Sequence, residues 1–283
     1  HRDLHSFPTR RSSDLRTFAE LAAIAHVSTV TIRKDLDDLE ARGLIRRERG
    51  VAMLVSPDDP AGRLAYHYAE KVRIAAAAAA TVNDGETVMI EAGSCCAILA
   101  EQISIQCTGI TIVTNSAFIA QRLGAHPMVS TVLLGGEQQH DSRVLVGPMV
   151  ELCARQFIVD RLFIGTDGFT PSLGFTARDY MRATAVRALA SRAERVVVLT
   201  ESEKLGSHGP VPLLDAHDVA ALWTDSAAPD AQVDALTGAG VEVVTVAADG
   251  TAVAHPAQAR PEPDRVVGGD SDPTALTTRE EPS

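Results

Sequence analysis

Residues 16–55 read RTFAELAAIAHVSTVTIRKDLDDLEARGLIRRERGVAMLV, and this stretch decides the fold of the N-terminal part of the chain. Phe18 and Leu21 begin an apolar face at helical spacing, which predicts a first helix. His26 and Val27 then make a short break. A second apolar face follows directly, so the stretch begins as two helices joined by a tight turn.

The sequence marks both ends of the second helix. Ser28 is a good N-cap, because its hydroxyl can accept a free backbone N–H of the next turn. Ile32 and Leu36 lie four residues apart and form the inward face. Gly43 suits a left-handed C-cap, and the alternating residues 44–52 predict a small hairpin. Together these elements predict a winged helix-turn-helix domain over residues 16–55.

Polar and basic side chains collect at the start of the second helix and on the hairpin. Such groups can reach base edges and phosphates in a major groove. Residues 16–50 hold seven basic and six acidic groups, whereas the whole chain carries a net charge of −11. The alternative is an ordinary solvated helix face, but the placement matches a docking geometry. The residues predicted to contact double-stranded DNA are Ser28, Thr29, Thr31, Arg33, Lys34, Arg47 and Arg49.

The bulk composition limits the class of protein. The chain has 283 residues, of which 45% are hydrophobic, so it can bury a substantial core. A net charge of −11 argues against a protein that coats nucleic acid along its whole length. The four cysteines show no metal-ligand spacing, so we expect free thiols and no metal. No apolar run reaches the ~20 residues that a membrane helix needs. We therefore expect a cytoplasmic protein without a membrane partner.

The rest of the chain alternates apolar strands with helices. Residues 56–66 are predicted to be a linker by their Pro, Gly and Asp content, and a helix is predicted from Leu64 to Val82. Continuous apolar strands then alternate with helices, which predicts a mainly parallel α/β sheet over residues 67–247. Residues 248–283 have few large apolar side chains and are predicted to be disordered.

Small and hydroxyl residues follow several of these strands. In parallel α/β sheets, ligands bind at the carboxyl ends of the strands, and helix N-termini there suit phosphate. The alternative is that these residues are plain turn and capping residues. There is no GxGxxG fingerprint and no Walker loop, so we expect no nucleotide cofactor. On this pattern the candidate ligand-binding residues include Gly93, Ser94, Cys95, Thr114, Asn115, Ser116, Gly135, Gly136, Asp167, Gly168 and Lys204.

Two sets of motifs resemble the DeoR family of bacterial transcription regulators. The first is VSTVTIRKDLDDLEARGLIRRERG at residues 27–50. The second is the ordered series IVTNS, LLGGE, LVGPM, LFIGTDGF, GFTARD and VVVLTESEKLG. The resemblance implies an effector domain with the fold of ribose-5-phosphate isomerase and CoA transferases. It also implies a repressor that binds operator DNA as a homo-oligomer and is relieved by a phosphorylated sugar. The GTDGF and GFTARD motifs are most similar to those of members that control amino-sugar or hexitol catabolism. By motif, the implied pocket residues are Thr114, Asn115, Ser116, Gly135, Gly136, Asp167, Gly168, Thr176 and Lys204.

The sequence departs from the family pattern at two places. The wing reads Arg-Gly-Val-Ala at residues 49–52, where members usually carry His-Gly-Gly-Ala. The first strand end reads EAGSCC at residues 91–96, where members commonly carry Asp-Ala-Gly-Thr-Thr. A redox-sensing Cys95 is therefore an open alternative, since a helix N-terminus would lower the pKa of its thiol.

Residues 1–15 lack the amphipathic helix that this type of domain needs before Phe18. Ser6 to Leu15 resembles the conceptual translation of a common short-read sequencing adapter, which in one frame reads Ser-Phe-Pro-Thr-Arg-Arg-Ser-Ser-Asp. We expect residues 1–15 to be an assembly artefact that replaces the native first helix, and a divergent native tail is the alternative. Resequencing the locus across this junction decides between them.

Two other functions are consistent with parts of the sequence. A sugar-phosphate isomerase or transferase on the same fold would need a general base, for which Asp167 and Glu91 are candidates, with Lys204 as electrophile. A metabolic enzyme has no need of a winged helix, which argues against this function. A purely architectural DNA binder would not need the large second module. We therefore expect a DNA-binding regulator that is not an enzyme.

Overall fold

The computed structural model describes residues 15–41, 45–48, 50–54 and 58–258. The three strands of the N-terminal module form an antiparallel sheet in which the third strand lies in the centre. The predicted winged helix-turn-helix is confirmed. Its elements are β1 (Leu15–Thr17), α1 (Phe18–Ala25), α2 (Thr29–Ala41), β2 (Ile45–Glu48) and β3 (Val51–Leu54).

Local capping positions the two helices. The Thr17 hydroxyl accepts the N–H of Glu20, and the Glu20 carboxylate accepts the N–H of Thr17 in return, which is a capping box. α1 ends at His26, whose φ of 54° lies in the left-handed region. The Ser28 hydroxyl then accepts the N–H of Thr31 at 3.1 Å, as expected for the N-cap of α2.

A small apolar core joins the helices to the wing. Ala22 of α1 packs with Ile32 and Leu36 of α2 and with Ile45 and Ala52 of the hairpin. Gly50 turns the hairpin with a φ of 82°, a conformation that favours glycine. The predicted C-cap at position 43 lies outside the described residues.

The segment predicted as a linker, residues 56–66, contains a helix, α3 (Pro60–Ala65). The carboxylate of Asp59 caps this helix by accepting the N–H of Ala61 at 2.9 Å, and proline occupies the first helical position. The same Asp and Pro that indicate a loop by composition therefore act here as a helix start.

The helix predicted from Leu64 to Val82 is interrupted. His67 adopts a φ of 51° and separates α3 from α4 (Tyr68–Ala79). The chain therefore makes an elbow at residues 66–67. Nothing in the local composition marks this position, because neither residue is a glycine or a proline.

The second module is built around an eight-stranded sheet. In chain order its strands are β4 (Thr87–Ile90), β5 (Thr111–Thr114), β6 (Ser130–Leu133), β9 (Val159–Ile164), β12 (Ala193–Leu199), β14 (Ala221–Asp225), β15 (Glu242–Val246) and β16 (Ala252–His255). Their spatial order is β16-β15-β14-β12-β9-β4-β5-β6. All neighbours are parallel except β15 and β16, so the predicted mainly parallel α/β fold is confirmed.

Helices cover both faces of this sheet. They are α4, α5 (Ser94–Gln106), α6 (Ala117–Leu123), α7 (Pro148–Ala154), α8 (Tyr180–Ala190) and α9 (Asp230–Gly238). Side chains alternate along each strand, so Val88 and Ile90 point to the core under α4, α5 and α6, while Met89 points to the core under α7, α8 and α9. Burial on both faces explains why the strands read as continuous apolar runs.

Two small antiparallel sheets stand beside the carboxyl ends of the main strands. One pairs β7 (Glu137–Gln138) with β8 (Leu145–Val146). The other contains β10 (Gly168–Thr170), β11 (Gly174–Ala177) and β13 (Val211–Leu214). The residues after β9 therefore continue into a hairpin and do not enter a helix directly.

The prediction of disorder from residue 248 onward is wrong for β16, which pairs antiparallel with β15 at the edge of the sheet. Three of its four side chains are exposed, so the strand has no apolar alternation to reveal it. His255, which has no evident role in the sequence, lies 3.1 Å from the Thr245 hydroxyl. Residues 259–283 lie outside the described part of the chain.

Candidate nucleic-acid interface and effector site

The predicted DNA-contacting side chains in the N-terminal half of α2 are exposed. Thr29, Thr31, Arg33 and Lys34 are all exposed, whereas Ile32 is buried in the core. The hydroxyls of Ser28 and Thr31 lie 2.9 Å apart, and Ser28 is also engaged in capping. The exposed face therefore combines hydroxyls and cations, as phosphate and base-edge contacts require.

An apolar side chain on this face was missed from the sequence. Val30 is 73% exposed, between the hydroxyls of Thr29 and Thr31. Apolar side chains in a major groove contact the methyl group of thymine. A β-branched residue inside an otherwise polar helix start is the sequence signal that could have indicated it.

The structure gives Arg47 a partner other than DNA. Its Nε donates to Glu40 at 2.6 Å, and its Nη1 donates to Asp37 at 2.6 Å. Hydrogen bonds from Arg47 lower the pKa of Glu40, and the same bonds raise the pKa of Arg47. Both carboxylates lie on α2, so Arg47 fastens the wing to the helix. Arg49, the other predicted wing contact, lies outside the described residues.

The candidate effector site lies where α5 begins, at the carboxyl end of β4. The first N–H groups of α5 have no intrahelical partner, as in any helix. The N-cap residue is Gly93, which has no side chain to cap them. Gly93 and Ser94 line a narrow cleft with a volume of about 10 Å³, which is close to the minimum for one water molecule. Ser116, the N-cap of α6, and Arg63 of α3 form other parts of its wall. The cavity thus combines a helix N-terminus, three serine hydroxyls, the guanidinium of Arg63 and the carboxylate of Asp58.

A larger cavity of about 370 Å³ adjoins the first, because Asp58 and Ser142 line both. Its lining is rich in hydrogen-bonding groups and includes Gln139, His140, Asp141, Asp179 and Arg182. Asp179 caps α8 by accepting the N–H of Arg182 at 2.7 Å, and it also accepts from Gln139 at 3.1 Å.

Arg182 connects the larger cavity to the strand ends. Its Nη2 donates to Glu91 at 3.0 Å and to the Ala92 carbonyl at 3.1 Å, while its buried Nε has no partner among the described residues. Burial alone would raise the pKa of Asp167, but the positive charges of Arg182 and Arg63 outweigh it and lower that pKa. Arg63 and Arg182 were not found from the sequence, because no motif distinguishes them from surface arginines.

Several predicted effector residues form hydrogen bonds within the protein itself. The Thr114 hydroxyl donates to the Ile90 carbonyl at 2.6 Å, and the Thr176 hydroxyl accepts the N–H of Gly209 at 2.9 Å. The Asn115 amide donates to the Leu145 carbonyl at 3.1 Å. These groups join neighbouring strands and loops, and none of them lines either cavity.

The predicted glycines likewise serve packing. A Cβ at Gly136 would lie 2.7 Å from the Val146 carbonyl oxygen. A Cβ at Gly168 would lie 2.4 Å from the Ser207 carbonyl oxygen. Gly135 packs near the Cys153 sulfur. Close backbone approach is thus required as predicted, but the partner is the chain itself. Of the predicted set, the first cavity brings together Gly93, Ser94 and Ser116.

Cys95 and Lys204 both lie beside a buried carboxylate, Glu201. Lys204 Nζ donates to Glu201 at 3.0 Å, and the Cys95 sulfur lies 3.9 Å from the same oxygen. Burial, with a smaller contribution from Glu201, raises the pKa of Cys95 to about 12. The expectation that the helix N-terminus would lower this pKa is therefore wrong, and Cys95 is not an activated thiol.

Comparison with known proteins covers both modules. The sequence pattern of the DeoR-like helix-turn-helix domain matches residues 11–58, and that of the DeoR C terminal sensor domain matches residues 66–226. No helix in the described part of the chain has the length and apolar character to cross a membrane.

Similar proteins align with most of the chain and over most of their own length. The chain is 29% identical to the HTH-type transcriptional repressor GlcR of Bacillus subtilis, over 82% of this chain and 91% of that protein. It is 30% identical to the HTH-type transcriptional regulator GlpR of Haloferax volcanii, over 82% of this chain and 92% of that protein. Among solved structures, ribose 5-phosphate isomerase A of Methanocaldococcus jannaschii superposes with a TM-score of 0.36 at 17% identity, covering 48% of this chain and 53% of that one.

The sensor pattern alone spans more than half of the chain, and the helix-turn-helix pattern precedes it in the order that the structure shows. The two relatives are a transcriptional repressor and a transcriptional regulator of the helix-turn-helix type. The chain therefore belongs to the DeoR family and is a DNA-binding transcriptional regulator with a C-terminal sensor domain.

Proposed function

We propose that this regulator represses genes for the catabolism of a sugar or amino sugar, and that the phosphorylated sugar releases it from double-stranded operator DNA. The observation that carries the proposal is the cavity at the start of α5, where an uncapped helix N-terminus faces Arg63. Repression is also supported by the similarity to GlcR of Bacillus subtilis, which is a transcriptional repressor.

The phosphate is proposed to bind over the first turn of α5. The free N–H groups of a helix N-terminus and its positive dipole end favour an anion. Arg63 supplies a charge-assisted donor, and the hydroxyls of Ser94 and Ser116 supply neutral ones. Because Ser116 already accepts the N–H of Ile119 at 3.2 Å, its hydroxyl hydrogen remains available to a ligand oxygen.

The sugar part is proposed to occupy the larger cavity. Carboxylates and an amide, from Asp141, Asp179 and Gln139, are acceptors for hydroxyl or amino groups of a hexose-sized ligand. The other predicted site residues, which bond to neighbouring strands and loops, would keep the walls of the two cavities rigid.

The DNA-binding step is proposed to use the exposed face of α2. Arg33 and Lys34 would contact phosphates, and Thr29 with Val30 would reach base edges of the major groove. Proteins of this type bind repeated half-sites as dimers or larger assemblies, so we propose a homo-oligomer acting in the cytoplasm. By linkage, a ligand that prefers the DNA-free conformation weakens operator binding by the ratio of its affinities for the two states.

The test is thermal unfolding of the full chain with a panel of sugar phosphates and their unphosphorylated parents. A ligand at ~100 times its dissociation constant should stabilise the protein by about 2.7 kcal/mol. The proposal predicts that a phosphorylated sugar raises the melting temperature, while its parent does not. If no member of the panel does so, the proposed ligand class is wrong.

A matched pair of variants locates the site. Arg63→Gln should reduce the ligand-induced shift, because it removes the charged donor from the cavity. Arg155→Gln, on the surface of α7 with a side chain 60% exposed, should leave the shift unchanged. Equal shifts in the two variants would place the ligand elsewhere.

A further inference from the structure

Lys71 is a buried cation that the proposed site does not use. It lies in the first turn of α4 and is 1% exposed. Its ammonium donates to the Arg63 carbonyl at 2.6 Å, to the Tyr66 carbonyl and to the Glu201 carboxylate at 2.8 Å. All three ammonium hydrogens therefore have acceptors, and two of these are carbonyls at the end of α3. Lys71 holds the carboxyl end of α3, where the helix dipole is negative.

Glu201 connects this lysine to the effector site. It follows β12 at the carboxyl edge of the sheet and is itself buried. One oxygen accepts from Lys71, and the other accepts from Lys204 while lying near Cys95 in the first turn of α5. The end of α3 and the start of α5 are thus tied to a single carboxylate.

The elbow at residues 66–67 has a second anchor, Glu203, which lies two residues after Glu201. The Tyr66 hydroxyl donates to Glu203 at 3.1 Å, and His67 Nε2 lies 3.6 Å from the same oxygen. Glu201 directly precedes the short turn at Ser202–Lys204, and Glu203 is the middle residue of that turn. The elbow is therefore fixed to the strand end at two points, one buried and one exposed.

α3 is also the first helix after the DNA-binding module. β3 ends at Leu54 and α3 begins at Pro60, so few residues separate the wing from this helix. Pro60 and Arg63 form one wall of the first cavity, opposite Gly93 and Ser94 of α5. A ligand in that cavity therefore contacts the sensor domain on one side and the segment that leads to the wing on the other.

We propose that α3 is the coupling element of this regulator, and that the Lys71–Glu201 pair holds it in the position from which an effector moves it. The inference rests on the proposed function. A phosphate drawn between α5 and Arg63 changes the position of α3 relative to α5, and the short link passes that change to the wing. Lys71 is a positioning residue: it should set how strongly ligand binding alters DNA binding, and it should not set ligand affinity itself.

The test compares two variants that each remove a buried cation from a glutamate. Lys71→Met breaks the pair at α3. Arg161→Met breaks the pair between Arg161 and Glu86, which lies at the other end of β9 from the cavity. The probes are glucosamine 6-phosphate and sorbitol 6-phosphate, and the DNA is a labelled duplex from upstream of the gene itself. The full chain is used throughout.

The measured quantities are the probe-induced rise in melting temperature and the ratio of duplex affinities without and with the probe. In the wild type the ratio should fall in the ~5–150-fold range of ordinary allosteric coupling. Lys71→Met should keep the rise in melting temperature but reduce the ratio to less than about twofold, while Arg161→Met should keep both. A Lys71→Met protein that retains the wild-type ratio overturns the inference.

A milder pair of variants covers the case in which Lys71→Met does not fold. Tyr66→Phe and Glu203→Gln remove the exposed anchor without emptying a buried site, and both should lower the coupling ratio by at least ~3-fold. Unchanged ratios in these two variants overturn the inference. If neither probe raises the melting temperature of the wild type, the proposed function fails first, and that outcome is distinct from binding without altered coupling.

Discussion

The guanidinium of Arg182 donates to the carboxylate of Glu91 across 3.0 Å, and this pair joins the start of α8 to the end of β4. The Glu91 side chain is 1% exposed and that of Arg182 is 12% exposed. Burial lowers the pKa of Arg182, but the charges of Glu91 and Asp167 outweigh it and raise that pKa. The residue that lines the larger cavity is therefore held in place by the first residue after a central strand.

Removing Glu91 should destabilise the sensor domain. Glu91→Ala leaves a largely buried guanidinium without its partner, and breaking a buried ion pair from one side costs about 3–5 kcal/mol. The measurement is the free energy of unfolding in urea at neutral pH. Glu151→Ala, which breaks an exposed i,i+4 pair with Arg155, should cost less than ~1 kcal/mol. If Glu91→Ala lowers the free energy of unfolding no more than Glu151→Ala does, the pair between Glu91 and Arg182 does not stabilise the fold.

The two basic residues Arg47 and Lys34 should differ in how they affect DNA binding. A side chain that contacts a phosphate contributes ~0.9 to the slope of log affinity against log salt concentration. Lys34→Gln should therefore reduce the slope for a nonspecific duplex by about one. Arg47→Met should leave the slope unchanged, because its guanidinium bonds to Asp37 and Glu40 of α2. An equal reduction in both variants would restore Arg47 as a phosphate contact.

The sequence was sufficient to predict elements whose pattern is local. The α2 helix is an example, since the Ser28 cap and the spacing of Ile32 and Leu36 all lie within the element itself. The parallel sheet is another, because continuous apolar runs require burial on both faces. The place of the candidate site, at the carboxyl ends of the strands, follows from this parallel topology.

Features that depend on distant partners could not be predicted. β16 exists because its backbone pairs with β15, although its side chains carry no apolar pattern. Gly168 has the character of a residue that lets a ligand approach the backbone, but its neighbour is the backbone of Ser207, which lies far along the chain. Arg63 and Arg182 reach the cavities from helices that only the tertiary fold brings together.

The four thiols should differ in reactivity. Burial raises the pKa values of Cys95, Cys96 and Cys107, whereas Cys153 is partly exposed. In the native protein at pH 8, a thiol reagent should modify Cys153 first, and the buried three should react only on unfolding. Mass spectrometry after timed labelling measures this, with Cys153→Ala as the control that should remain unlabelled. Rapid native labelling of Cys95 would revive the redox-sensing alternative.

The carboxylate of Glu201 should make the stability of the protein depend on acid. Burial alone would raise the pKa of Glu201, but Lys204 and Lys71 outweigh it and lower the pKa from 4.5 to about 2. A pKa that is lower in the folded state stabilises the protein above the unfolded value. That stabilisation is fully present above about pH 4.5 and is lost as the pH falls toward 2.

The free energies of unfolding of the wild type and Glu201→Gln should therefore converge on acidification. At pH 7 the wild type should be more stable by as much as ~3 kcal/mol, since each pH unit between the two pKa values contributes about 1.4 kcal/mol. Glu203→Gln, which alters a neighbouring exposed carboxylate, serves as the control variant. If the difference between the wild type and Glu201→Gln stays constant between pH 7 and pH 3, Glu201 is not the carboxylate that the two lysines hold ionised.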